Sequence, residues 1–138
     1  MTLRRLIQLL GATLLVMALN VAVSYVWVAV YAFFIEPGHD GAFYEAYAQT
    51  AAPYSSIIAG IPLVYFFGRW VARWGQREAP MRHAMTLWGM YLVLDVVILV
   101  GAGVIARLAP LAAVSFATKG MAAYAAGRAE MAGGPRTQ

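Results

Sequence analysis

Cysteine is absent, which excludes disulfides, thiol redox chemistry, iron–sulfur clusters and thiolate metal sites. Charge is scarce. Ten Lys/Arg and six Asp/Glu make up 12% of 138 residues, where a soluble domain carries about a quarter. So few charged groups cannot clothe a small soluble fold, and with 62% hydrophobic residues the chain is not disordered either. A phosphate-binding loop, a zinc-protease helix and a Ser-His-Asp set at one depth are also lacking. The two histidines, His39 and His83, fall near opposite membrane edges, which argues against a bis-histidine haem. What remains is an integral membrane protein.

The apolar runs give its organisation. One span needs about 20 residues, so the length allows three or four spans and no separate soluble domain. The expected fold is all-α: a four-helix membrane bundle occupying 1–127, with spans near 6–34, 51–67, 84–106 and 111–126. Residues 6–35 lack any charge and are too long for a signal-peptide core, so they read as a retained first span. Pro37, Gly38 and Gly41 end that span. Phe43, Tyr44 and Tyr47 in 42–50 suggest a short helix lying at the interface of the first extracytoplasmic loop. Pro62 is expected to kink the second span, and Arg107 to Pro110 to form the turn before the fourth. The tail 128–138, with Gly133, Gly134 and Pro135, reads as disordered.

Basic residues set the orientation. With four spans, Arg4, Arg5, Arg69, Arg73, Arg77, Arg82, Arg128 and Arg136 fall on one side, and Arg107 alone on the other. The first loop holds Glu36, Asp40 and Glu45 and no basic residue. The positive-inside rule therefore places both termini in the cytoplasm, and the expected location is a bacterial inner (plasma) membrane. Arg69, Arg73 and Arg77 share one helical face beside Trp70 and Trp74, a pattern that anchors to anionic lipid. The lipid bilayer is thus one partner. Nucleic acid is not expected, because the basic patch is small and lies against the membrane.

Within the spans the sharpest residue is Asp95. A carboxylate at that depth costs several kcal/mol (about 2.5–3.5) and normally faces the bundle with a partner. Tyr91 lies one turn away on the same face. Lys119 is the candidate ionic partner: about a turn centred on 107–110, its depth differs from that of Asp95 by about 4 Å. Thr13, Met17, Asn20, Ser24, Trp27 and Tyr31 form a stripe at heptad spacing on the first span, with Asn20 suited to bridging helices. Ala52, Ser56 and Gly60, and again Ala109, Ala113 and Ala117, carry the four-residue spacing of small side chains that permits close helix packing, with Pro62 nearby. Glu36, His39, Asp40 and Glu45 could in principle approach a divalent cation, but they match no ligand spacing and read as a solvated loop, so neither metal nor cofactor is expected.

These features point first to a non-enzymatic subunit or scaffold acting through helix–helix packing, as a homo-oligomer or with other membrane subunits. The alternative is a small oligomeric transporter or channel in which Asp95, with Asn20, Tyr91 and Lys119, couples protons or cations. An enzyme ranks third, since only tyrosines stand near Asp95 to assist it.

Overall fold

The computed structural model describes residues 2–74 and 79–133. Four helices and no strand occur among them. Helix α1 (Leu3–Val30) runs on into a π-helical turn (Tyr31–Ile35) and is followed by α2 (Gly41–Ala72), α3 (Pro80–Gly101) and α4 (Ile105–Ala132). The first three are long and apolar enough to cross a membrane. Helix α4 is long enough but less apolar, being alanine-rich and interrupted by Lys119.

The boundaries follow from local chemistry. The π turn closes through Glu36 N–H donating to Tyr31 O at 2.9 Å. Gly38, at φ +95°, reverses the chain where a side chain would be strained. The Asp40 carboxylate then caps α2 by accepting from Phe43 N–H at 3.0 Å. Pro80 occupies the first position of α3, where its missing N–H leaves no gap.

Three expectations are corrected. Residues 42–50 are not a separate interfacial helix: they form the first turns of α2, which continues through Pro53 and Pro62 without a break. The turn before α4 lies at Ala102–Val104, where Gly103 adopts φ +68°, and Arg107 and Pro110 are carried inside α4. The tail is helical to Ala132 rather than disordered from 128.

Helices α2 and α3 form the diagonal of the bundle. Each packs against both α1 and α4, while α1 and α4 hardly meet. Burial along the bundle is one-sided. Leu9, Val16, Val64, Val71, Ala84, Leu87, Ala123 and Ala126 fill the half that holds both termini. No described residue in 21–59 or 92–114 is buried. Small residues make the closed half tight. A Cβ on Gly68 would stand 3.0 Å from Ala126 Cβ, and one on Gly127 would stand 2.9 Å from Met81 Sδ. In the other half the helices splay.

Candidate functional site

The polar stripe of α1 is turned onto α2. Thr13 is fully buried, and its hydroxyl donates back to Leu9 O at 2.8 Å. Ser24 shares a 2.8 Å hydrogen bond with Ser55, and Trp27 donates to Tyr47 OH at 2.9 Å. Tyr31 stacks on Tyr47 at 3.6 Å between ring centroids. Asn20, 5% exposed, reaches further: its Nδ2 donates to Ser56 Oγ of α2 at 2.8 Å and to Tyr91 OH of α3 at 3.0 Å. One side chain thus ties three helices together, the role its depth suggested.

Lys119 completes this cluster from α4. Its side chain is entirely buried. Nζ donates to Ser56 Oγ at 3.2 Å and to Tyr91 OH at 2.9 Å, and it lies 4.5 Å from the Tyr91 ring centre. The four polar groups close a ring, in which Asn20 and Lys119 both donate to Ser56 and to Tyr91. The stem of Lys119 crosses α2 at Gly60, where a Cβ would collide with it. The ring leaves Asn20 Oδ1 buried without a hydrogen-bond partner.

Asp95 stands beside this ring and not in it. No ion pair joins it to Lys119, and among the described residues no hydrogen bond reaches its carboxylate. The reason is register. With the turn at Gly103, Asp95 lies eight residues before the turn and Lys119 sixteen after it. At 1.5 Å per residue their depths differ by about 12 Å, and Tyr91, one turn deeper on α3, meets Lys119 in its place.

Asp95 lines two cavities. One, of about 510 Å³, lies between α2, α3 and α4, with Arg107 in its wall. The other, of about 600 Å³, lies between α1, α2 and α3. Both belong to the splayed half, and Gln49, Ala52, Ser56 and Asp95 line both.

The packing residues divide. Ser56 and Gly60 lie against α1 and α4 as described, and the spacing continues through Val64 and Gly68, which are buried. Pro62, Ala113 and Ala117 are exposed. The face of α4 that packs within the chain is Ser115, Lys119, Ala122, Ala123 and Ala126. The alanine spacing marks a face turned away from the other helices of this chain, and the face that packs inside it is centred on Lys119, which reads as a residue to be kept out of a core.

The basic face of α2 also has a partner inside the chain. Arg69 Nε and Arg73 Nη2 both donate to Glu130 Oε1, at 2.7 and 3.1 Å. These two arginines therefore join α2 to α4 rather than facing lipid alone. Trp70 and Trp74 pack edge to face at 4.7 Å, and Trp70 remains exposed. Arg77 lies outside the described residues. Hydrogen bonds from Arg73 and Arg69 hold the Glu130 carboxyl below the usual glutamate range. A depressed pKa stabilises the fold above the ordinary carboxyl value, and that stabilisation is lost as pH falls through the folded-state value. The protein in detergent should accordingly melt more readily at pH 3 than at pH 6, and Glu130→Gln should shrink the difference. An unchanged acid loss in that variant would refute the assignment.

In the first loop, His39 Nε2 approaches Glu36 Oε1 at 3.5 Å and the His39 ring stacks on Phe43 at 4.0 Å, while Asp40 is engaged as a cap. Among the described residues no group of three or more His, Cys, Asp or Glu is placed to hold a metal ion. In comparisons with protein-family models, curated proteins and solved structures, nothing matches the chain.

Proposed function

We propose that the chain is a four-span protein of the plasma membrane, with both termini cytoplasmic, and that it works as a small transporter in which Asp95 meets the cargo or a proton. One observation carries this reading: burial is confined to the half that holds the termini, and the splayed half contains two cavities that converge on Asp95. A solvent-reachable carboxylate above a plugged half is the arrangement of a vestibule waiting to be closed. An intramembrane ionisable residue of this kind is by default a functional site. The less apolar α4 is carried across the bilayer by its neighbours, because Lys119 faces the bundle and not the lipid.

The second reading is a packing subunit, in which a helix of another protein or a second copy fills the splayed half. The exposed alanine face of α4 at Ala113 and Ala117 favours it, since small residues permit close approach. The missing cysteines make the two separable. A single Ala52→Cys, placed in the wall common to both cavities, should react with a membrane-impermeant maleimide from the extracytoplasmic side. In a transporter it should also become reactive from the cytoplasmic side. Labelling from the extracytoplasmic side only, in intact membranes, would defeat the transport reading. Protection in membranes that disappears on purification would establish the subunit.

A further inference from the structure

The cavity between α1, α2 and α3 is selective in its chemistry. Its charged lining residues are Asp95 and Glu45, both acidic, and no Lys or Arg among the described residues lines it. The nearest ammonium, on Lys119, is fully buried and sealed behind Ser56 and Tyr91, to which it donates. The other cavity differs in having Arg107 in its wall. Within the first cavity the Asp95 carboxylate has no hydrogen-bond or ion-pair partner from the described residues, and Asn20, which also lines it, has a buried oxygen without a donor. The acceptor left open to a ligand is the Asp95 carboxylate, with which Lys119 forms no ion pair.

Size and wall material narrow the ligand. The space is about 600 Å³, far more than a bare metal ion fills, and the described residues offer no cluster of metal-ligating groups. Hard cations require six or more oxygens at close range, whereas here two carboxylates, Asp95 and Glu45, share a wall with Val21, Val28 and Ile98. The rings of Tyr25 and Tyr44 also line the space. Apolar walls with aromatic faces and acidic groups without a basic neighbour in the wall suit a cation whose charge is attached to a hydrophobic body.

We infer that this cavity binds an organic cation, with its ammonium or equivalent group against Asp95 and its apolar part among the α1 and α3 side chains. The inference rests on the transporter reading for its role, but binding itself is measurable without transport. The probe is benzyltrimethylammonium, compared with its neutral isostere neopentylbenzene, by equilibrium dialysis of the full chain in nonionic detergent against empty micelles. The ammonium should bind saturably. Asp95→Asn should weaken it about tenfold or more, a loss of about 1.4 kcal/mol, and Asp95→Glu should keep most of the affinity. The neutral isostere should be indifferent to both variants.

Absence of saturable ammonium binding to the native chain overturns the inference. So does equal binding of the isostere, or an Asp95→Asn variant that elutes as the native protein does and binds the ammonium as well. The outcomes separate from those of the cysteine experiment. Cation binding without two-sided labelling means a fixed receptor site. Two-sided labelling without cation binding means a transporter of other cargo.

Discussion

Tyr91→Phe should destabilise the protein by about 3 kcal/mol, although it removes one oxygen atom. That oxygen accepts from Lys119 Nζ and from Asn20 Nδ2, both buried. Losing it strands one donor of a neutral amide and one of an ammonium, and each stranded group costs about 1–3 kcal/mol, more where it is charged. The Phe ring would still face Lys119, so the loss falls at the lower end of that seen when a buried charge is stripped of its partners. The second arm of the experiment is Lys119→Met. It removes the charge itself, and apolar replacement of a buried ion is often close to neutral. In the Lys119→Met background, Tyr91→Phe should therefore cost much less. SDS-unfolding titrations in mixed micelles measure the cycle. Strict additivity would mean that Lys119 and Tyr91 do not act on one another.

Gly60→Leu should be at least as damaging. A Cβ at Gly60 would collide with Cε of Lys119 and would stand only 3.1 Å from Nζ and 3.3 Å from Cδ. Overpacking alone costs about 1–3 kcal/mol. Here the stem that must move also carries the ammonium away from Ser56 and Tyr91. With about 1–3 kcal/mol more for the buried donors so stranded, the total is about 4 kcal/mol, at the upper end of single-substitution effects. Alanine at Gly60 should already be felt, and Lys119→Ala should restore room for it. Gly89→Ala is the control. It adds a methyl group in open space on a helix and should stabilise by about 0.5–1 kcal/mol. Equal effects at Gly60 and Gly89 would contradict the close approach of α2 and α4.

Much of this fold is written in the chain at low resolution. Uncharged runs mark three helices, and the heptad stripe around Asn20 marks the face of α1 that meets α2. The registers are less legible, because they depend on single residues in turns. The sequence points to Arg107–Pro110 for the α3–α4 turn, and the chain turns instead at Gly103. Proline near the start of a helix is tolerable, whereas only glycine takes the left-handed conformation easily, and Gly103 prevailed. That choice moves α4 relative to α3 by more than a turn and exchanges Asp95 for Tyr91 as the neighbour of Lys119. Glu130 was hidden for a related reason. A glycine-rich end suggested disorder, yet Arg69 and Arg73 across the bundle give the last turns of α4 something to hold. Ser56 combined two signals, small size and a hydroxyl, and only the first was apparent from spacing.

The diagonal arrangement of α2 and α3 has a further consequence for occupancy. Because α1 and α4 sit on opposite sides of that pair, the two cavities are chambers back to back, and Asp95 stands in the wall they share. One carboxylate neutralises one positive charge. A cation settled against it from the α1 side leaves a second cation, arriving from the α4 side, beside a neutral pair and near Arg107. Cations that engage Asp95 from the two chambers must therefore exclude one another, while uncharged molecules need not. Linkage makes that exclusion equal in both directions.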